Sequence, residues 1–135
     1  MADAYLLDTC IVVAAIKGEP RSLLNRLTGL APSRLFLSSL VRAELWYGAE
    51  KAQRRAEAHA SLDIVVRGME SLPFDEAAAE VYGSLREALE RKGKTIGPMD
   101  MLIAAQAVAR GLVLVTDNLR EFQRVRGLHC ENWMR

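Results

Sequence analysis

The sequence predicts an α/β protein whose central, mainly parallel sheet is flanked by helices. Predicted strands and helices alternate along the 135 residues. The clearest strands, Tyr5–Leu7 and 112–115, are continuously apolar instead of alternating between apolar and polar positions. Continuously apolar strands are typical of parallel sheets that helices cover on both faces. Ligands bind such sheets beyond the carboxyl ends of the strands, so functional side chains are expected directly after the strands.

The first half of the chain is predicted to contain two strands separated by helices. Thr9 is predicted to cap the first helix. Gly18 and Pro20 end that helix, because neither residue continues an α-helix well. The predicted elements of this half are the strand Tyr5–Leu7, the helices 9–16 and 21–30, the strand Leu35–Ser38 and a broken helix over 40–68.

The second half is predicted to contain longer helices and the most apolar strand. Asp75 is a good N-cap for a long Ala-rich helix, and Pro98 fits the first turn of the next helix. Gly111 marks the end of that second helix. The predicted elements are an extended segment over 69–74, the helix 75–92, the loop 93–97, the helix 98–110, the strand 112–115, the short helix 119–125 and the strand 128–131.

The composition is that of one folded domain spanning residues 1–135. Half of the residues are hydrophobic and 26% are charged, so the chain can bury a core and disorder is excluded. No apolar run approaches the roughly 18 residues of a membrane span, and the N-terminus lacks the basic region of a signal peptide. We therefore expect a cytoplasmic protein. The net charge of +1 neither indicates nor excludes a nucleic-acid partner.

The two cysteines, Cys10 and Cys130, do not make a disulfide framework. The chain has no CxxC pair, and His59 and His129 are far apart in sequence, so a Cys/His zinc site is not expected. Cys10 lies at an apolar helix start, and we expect it to be a small buried residue.

Two carboxylates follow the two clearest strands. Asp8 comes directly after the first, and Asp117 follows the second after Thr116. Because the carboxyl ends of parallel strands meet at one edge of the sheet, these acids converge if their strands lie close together. Each also fits a structural role, Asp8 as a cap at the strand end and Asp117 as a turn residue before Asn118.

Two further acids, Glu44 and Asp100, occupy unusual places on predicted helices. Glu44 shares a helical face with Val41 and Tyr47, where a carboxylate is costly unless it is paired or bound to a metal. Asp100 begins the small, apolar face of the helix 98–110. Alternatively, Glu44 is an exposed helix residue and Asp100 complements the helix dipole. Four clustered acids would repel each other and would suit Mg²⁺ or Mn²⁺, because hard cations prefer oxygen ligands.

Together these motifs resemble the PIN domain, and more narrowly the VapC-type toxins of bacterial toxin–antitoxin pairs. The residues that carry the resemblance are Asp8-Thr9, Glu44 in AELWYGAEK, Asp100 in IGPMDMLIAAQA, and Val115-Thr116-Asp117-Asn118 followed by Glu121-Phe122. The similarity covers nearly the whole chain. It implies a three-layer PIN-domain fold and an endoribonuclease that depends on Mg²⁺ or Mn²⁺ and cleaves structured RNA, with tRNA as the expected substrate.

The resemblance also implies roles for individual residues and for partners. The residues expected to be catalytic and to bind the metal are Asp8, Glu44, Asp100 and Asp117. The residues expected to support them are Thr9, Thr116, Asn118 and Glu121. Met99 stands where relatives often have Asn or an aromatic residue. VapC proteins usually form homodimers and are neutralised by a VapB antitoxin whose C-terminal tail enters the active-site groove, so we expect both partners here.

Two other functions compete with this interpretation. One is an interaction module that keeps the fold without catalysis, although a scaffold has no need for mutually repulsive acids. The other is a phosphatase with Asp8 as its nucleophile, but Cys10 stands where the Asp-x-Asp pattern of such enzymes needs a second acid.

Basic residues that precede the helix 98–110 are candidates for contact with RNA phosphates. A solvated helix face explains such a run equally simply. The candidates are Arg86, Arg91, Lys92 and Lys94.

Overall fold

Five short strands form one sheet in the computed structural model, which describes residues 3–135. The strands are β1 (Tyr5–Leu7), β2 (Leu35–Ser38), β3 (Glu70–Leu72), β4 (Val113–Val115) and β5 (Cys130–Glu131). Their order across the sheet is β3-β2-β1-β4-β5, and every neighbouring pair is parallel. The predicted parallel sheet is confirmed, and the segment predicted as extended over 69–74 supplies its third strand.

Helical segments connect each strand to the next, as parallel strands require. The helices are α1 (Thr9–Lys17), α2 (Arg21–Thr28), α3 (Ser39–Glu50), α4 (Arg55–Val66), α5 (Glu76–Arg91), α6 (Pro98–Arg110) and α7 (Leu119–Phe122), with a 3₁₀ turn at Pro32–Arg34. Most of their ends lie within two residues of the predicted ends, but α7 is shorter than predicted. Across residues 3–135, no helix has both the length and the apolar character needed to cross a membrane.

The direction in which the chain adds strands to the sheet reverses at β1. The strands β2 and β3 lie on one side of β1, whereas β4 and β5 lie on the other. Leu7 is in register with Val115, and the Asp8 amide donates to the Val115 carbonyl at 3.0 Å. Asp8 and Thr116, which directly follow β1 and β4, therefore lie side by side. This place is a topological switch point, where α/β sheets bind their ligands.

Helix α6 packs tightly through small side chains. Ala104, Ala105 and Ala107 are fully buried, which allows a close approach of the helix backbone to its neighbours. Gln106 lies among them and is also buried. The other buried polar residues within 3–135 are Asp8, Ser38 and Thr116. All three lie at or next to the carboxyl end of a strand, so buried polarity is concentrated at the functional edge.

Two expectations at the start of α1 are wrong. Asp8, not Thr9, is the N-cap, because its backbone is extended and its side chain accepts a hydrogen bond from the Thr9 amide. Cys10 is exposed and not buried, since Ile11 and Val12 supply the buried side of the helix at this point. Both cysteines are free thiols.

Candidate active site

Asp8 is held at the switch point by hydrogen bonds to both of its carboxylate oxygens. The Thr9 amide donates to Oδ1 at 2.9 Å, and the Thr116 hydroxyl donates to Oδ2 at 2.7 Å. The Thr116 Oγ1 in turn accepts from the Asn118 amide at 3.0 Å. These bonds fix the orientation of a nearly buried carboxylate, while its remaining lone pairs stay available to a cation or to water.

Glu44 reaches the same edge from the middle of α3. The Thr9 hydroxyl donates to Glu44 Oε1 at 2.7 Å, so Thr9 contacts two acids, one by its amide and one by its hydroxyl. Glu44 and Tyr47 are exposed. The buried face of α3 consists of Val41, Leu45 and Ala49. The expectation that Glu44 lies on a buried apolar stripe is therefore wrong, although its side chain does contact the site.

Asp100 lies in the first turn of α6 and is partly buried. Burial, followed by the negative charges of Asp8, Glu121 and Glu44, raises the pKa of Asp100 from its ordinary value of 3.8 to about 6. A Cβ atom at Gly97 would lie 3.3 Å from Asp100 Oδ2, so the chain backbone closes one side of this carboxylate. The carboxylates of Asp8, Glu121 and Glu44, which come from three other segments, therefore lie near enough to Asp100 for their charges to act on it.

The fourth acid of this cluster is Glu121, whereas Asp117 is engaged elsewhere. Asp117 is exposed, and its Oδ1 accepts a hydrogen bond from Asn132 Nδ2 at 2.9 Å. Glu121 accepts from Asn118 Nδ2 at 3.2 Å and contributes to the raised pKa of Asp100, to which Asp117 does not contribute. The charge of Glu121, which was predicted to support the site, thus acts on Asp100, whereas the Asp117 carboxylate, predicted as the fourth acid, is hydrogen-bonded to Asn132.

These four carboxylates have no cationic partner in the described part of the chain. None of the ion pairs within residues 3–135 involves Asp8, Glu44, Asp100 or Glu121. Their hydrogen bonds come from neutral hydroxyl, amide and thiol groups. In the same residues, no three acidic, histidine or cysteine side chains are grouped tightly enough to hold a metal ion as they stand. The site is an open cluster of negative oxygen donors, and this donor type suits a hard divalent cation.

Cys10 is a further side chain at this site, where the sequence predicted a small buried residue. Its thiol donates to Asp8 Oδ2 at 3.7 Å. Although the residue as a whole is exposed, partial desolvation of its sulfur, together with the charge of Asp8, raises the pKa of the Cys10 thiol. The thiol is therefore neutral near pH 7 and adds no further negative charge to the cluster.

The four basic residues predicted to contact RNA fall into two groups. Arg86 and Arg91 form ion pairs with glutamates one turn away on α5. Lys92 and Lys94 are exposed, and neither forms an ion pair within residues 3–135. Both lysines lie between α5 and the helix that carries Asp100, so they are the cations of this group that are free to meet a phosphate.

A groove of about 490 Å³ opens between α1, α3 and α4. Thr9 and Glu44 belong to its lining, so the groove is continuous with the acidic cluster. Much of the remaining lining is apolar and includes Val13 and Leu45, while Arg54 and Glu57 add an exposed ion pair. Such a mixed surface can accept an extended or helical peptide whose apolar side chains enter the groove.

One family accounts for nearly all of the chain, including the four acids. The PIN-domain family model matches residues 5–128. The chain belongs to the PIN-domain family. Among similar PIN-domain proteins, ribonuclease VapC2 of Rickettsia felis is 42% identical over 130 residues, which cover 96% of this chain and 97% of that protein. The tRNA(fMet)-specific endonuclease VapC of Shigella flexneri is 41% identical over 129 residues, with coverage of 96% and 97%.

Two solved structures with chains similar to this one are VapBC complexes bound to DNA. The Rickettsia felis VapBC2 structure, bound to a DNA fragment from its promoter, matches with a TM-score of 0.90 and 40% identity over 96% of this chain and 98% of that chain. The DNA-bound VapBC structure from Salmonella typhimurium matches with a TM-score of 0.91 and 38% identity, with coverage of 98% and 99%. The predicted fold and the resemblance to VapC proteins are both confirmed.

Proposed function

We propose that this PIN-domain protein is a metal-dependent endoribonuclease toxin of the VapC type, which hydrolyses phosphodiester bonds in structured RNA. The observation that carries the proposal is the cluster of four acids at the switch point, which has no cationic partner within residues 3–135. Relatives at 42% and 41% identity are named as a ribonuclease and as a tRNA(fMet)-specific endonuclease. We therefore expect tRNA to be the substrate and the cytoplasm to be the place of action.

A divalent cation, Mg²⁺ or Mn²⁺, fits the oxygen donors of the cluster. We assign Asp8 and Asp100 as the main ligands, and Glu44 and Glu121 as the groups that hold coordinated water or a second ion. The side chains would draw together on binding, because no three of them within residues 3–135 are close enough as they stand. When bound, such a cation lowers the pKa of a coordinated water and neutralises phosphate charge. Asp117 is assigned a supporting role at the border of the site.

The chain's own residues set the geometry of the reaction. Thr116 and Thr9 orient the Asp8 carboxylate, and Thr9 also fixes Glu44. In the proposed reaction a water oxygen attacks phosphorus, the P–O3′ bond breaks, and the departing oxygen gains a proton. The products carry a 5′-phosphate and a 3′-hydroxyl. Because the attacking group is water, the ribose 2′-hydroxyl is not required, and no 2′,3′-cyclic phosphate forms.

The decisive experiment incubates tRNA with the purified wild type and with Asp100→Asn, in Mg²⁺, Mn²⁺ or EDTA. We expect discrete cleavage by the wild type, no cleavage in EDTA, and a loss of at least about 100-fold in Asp100→Asn. Asp117→Asn is the matched control, because it removes a nearby charge that does not act on Asp100. Cleavage by Asp100→Asn at the wild-type rate contradicts the assignment, and a toxic effect that survives this change favours a non-catalytic interaction module.

Lys92 and Lys94 are the residues that we propose to contact the RNA backbone. Reversing both charges should weaken RNA binding and should lower the slope of log K against log salt by about one per lysine. The control replaces Arg86 and Arg91 with Gln, because these arginines already have carboxylate partners. An equal loss of salt dependence in both variants contradicts the division into free and paired cations.

A VapB-type antitoxin is the protein partner that we propose, since similar solved structures are VapBC complexes. Its C-terminal segment would occupy the groove that begins at Thr9 and Glu44. Gly48 also lines this groove, and a Cβ atom there would meet no atom within 4 Å, so Gly48→Leu should fill the groove without disturbing α3. Gly83→Leu is the matched control on α5, where the space is equally open. We expect Gly48→Leu to lose antitoxin binding and Gly83→Leu to keep it.

The expected homodimer is a separate point, and light scattering of the protein without antitoxin tests it.

A further inference from the structure

Gln106 is a buried amide on the helix that carries Asp100. It is 1% exposed and lies between the buried alanines of α6. An amide in such surroundings destabilises a fold unless its polar atoms find hydrogen-bond partners. Its partners both lie outside α6, at the ends of two strands. The contacts of Gln106 therefore add two directional links between α6 and the ends of these strands, beside the apolar packing of the helix.

The partners of Gln106 are Ser38 and Leu72. The Ser38 hydroxyl donates to Gln106 Oε1 at 2.6 Å, and Gln106 Nε2 donates to the Leu72 carbonyl at 3.2 Å. As the N-cap of α3, Ser38 Oγ also accepts from the Leu40 amide at 3.0 Å. The orientation of the amide is determined by these contacts, because the reverse orientation would place its oxygen against the Leu72 carbonyl oxygen.

The Ser38–Gln106 hydrogen bond joins the two helices that carry Glu44 and Asp100. Ser38 precedes Glu44 by six positions at the start of α3, and Gln106 follows Asp100 by six positions on α6. At about 1.5 Å of helix rise per residue, each end of the bond lies about 9 Å along its helix from the acid. The bond is therefore a direct polar link between the start of one acid-bearing helix and the middle of the other.

Asp100 depends on this contact more than the other acids do. Within residues 3–135 its carboxylate accepts no hydrogen bond, whereas Asp8, Glu44 and Glu121 each accept at least one. The position of Asp100 therefore follows from the placement of α6, and Gln106 supplies the buried polar contact that registers this helix against α3.

We propose that Gln106 is a positioning residue, which sets the separation of the Glu44 and Asp100 carboxylates through Ser38. The proposal rests on the proposed metal-dependent function, because that separation matters when the acids share a cation. Residues that orient metal ligands from outside typically affect metal affinity by about 10–100-fold. Gln106 acts through a helix and not by direct contact with a ligand, so we expect the lower end of this range.

The test compares Gln106→Met with two matched controls. Methionine has nearly the shape of glutamine but forms neither hydrogen bond. Ser39→Ala removes a neighbouring hydroxyl that donates to the same Leu72 carbonyl at 3.4 Å and does not contact Gln106. Ile103→Val weakens the packing of α6 without touching the polar contact, because Ile103 is a buried apolar residue of that helix.

Mn²⁺ binding, measured by electron paramagnetic resonance without RNA, is the main readout. We expect Gln106→Met to raise the Mn²⁺ dissociation constant about tenfold, while both controls change it less than about twofold. RNA affinity in EDTA should stay unchanged in all variants, since the RNA-binding surface is not altered. Thermal melting identifies a temperature at which every variant is folded.

A second variant approaches the same bond from its other end. Ser38→Ala should weaken Mn²⁺ binding to a similar extent, and the double variant with Gln106→Met should lose no more than either single variant. Wild-type Mn²⁺ affinity in a folded Gln106→Met protein overturns the proposal, and so does an equal loss in Ile103→Val. A wild type that binds no Mn²⁺ overturns the proposed function itself, and this inference with it.

Discussion

Replacing Asp100 with Asn is expected to stabilise the fold in metal-free buffer near neutral pH. Burial and three neighbouring acids raise the pKa of Asp100 from 3.8 to about 6 in the folded protein. In the unfolded chain the ordinary value returns. Between roughly pH 4 and pH 6 the folded protein therefore binds more protons than the unfolded chain, and the free energy of unfolding falls as the pH rises through this window. Above it, the ionised carboxylate destabilises the fold.

The magnitude follows from the size of the pKa shift. A rise from 3.8 to about 6 corresponds to an upper limit of about 3 kcal/mol, at about 1.4 kcal/mol per pKa unit. Asp100 is only partly buried, so water screens much of the repulsion and we expect about 1–2 kcal/mol. In a chain of 135 residues this free energy raises the melting temperature by roughly 3–8 °C. The gain should be present at pH 7.5 and should shrink toward pH 4.

Thermal melting in EDTA at pH 7.5, 5.5 and 4.5 measures this effect. Asp117→Asn is the control and should melt like the wild type at each pH, because Asp117 is exposed and does not contribute to the raised pKa of Asp100. Mg²⁺ should stabilise the wild type by mass action and should stabilise Asp100→Asn much less. If Asp100→Asn melts below the wild type at pH 7.5, or gains equally at pH 4.5, the reasoning from carboxylate repulsion is refuted.

Three further changes test the site around Asp100. Gly97→Ala should fold normally, since φ at this residue is −55°. Its new Cβ atom would lie 3.3 Å from Asp100 Oδ2, so the single-turnover rate of RNA cleavage should fall about threefold to tenfold. Glu121→Gln should reduce the same rate at least about tenfold, and Asp117→Asn should reduce it less than about threefold. If Asp117→Asn has the larger effect, Asp117 and not Glu121 is the fourth acid. Iodoacetamide should modify the exposed Cys10 more slowly at pH 7 than an unperturbed thiol, because the raised pKa lowers the fraction of reactive thiolate, and faster at pH 9. The modification should block cleavage in the wild type but not in Cys10→Ala.

The central part of the sheet could be predicted because its strands carry their own signal. Tyr5–Leu7 and Leu35–Ser38 are apolar runs, and the structure gives them the predicted ends. The edge strands carry a weaker signal. In Glu70–Leu72 two of the three residues are exposed, and the residues of Cys130–Glu131 are only partly buried. Edge strands need not be apolar throughout, so the sequence indicated them only within the wider ranges 69–74 and 128–131.

The choice between Asp117 and Glu121 could not be made from the strand that precedes them. Proximity to a strand end predicts that a residue lies near the functional edge, and Asp117 satisfies this rule. The chain turns at this point, where Thr116 Oγ1 accepts from the Asn118 amide. Asp117 then meets Asn132, fifteen positions later, and a short helix presents Glu121 to the acids. The direction of the side chain depends on that distant partner.

Convergence of acids from separate helices depends on contacts between residues that are far apart in sequence. The contact of Thr9 with Glu44 spans 35 positions, and that between Ser38 and Gln106 spans 68. A glutamine within the apolar run of α6 is a local sign of such a contact, because a buried amide requires a partner. The buried glutamine does not reveal its partner, since any donor or acceptor packed against the helix could bond to the amide. The sequence therefore indicates that Gln106 of α6 makes a polar contact. Only the fold shows that the partner is Ser38, at the start of the helix that carries Glu44.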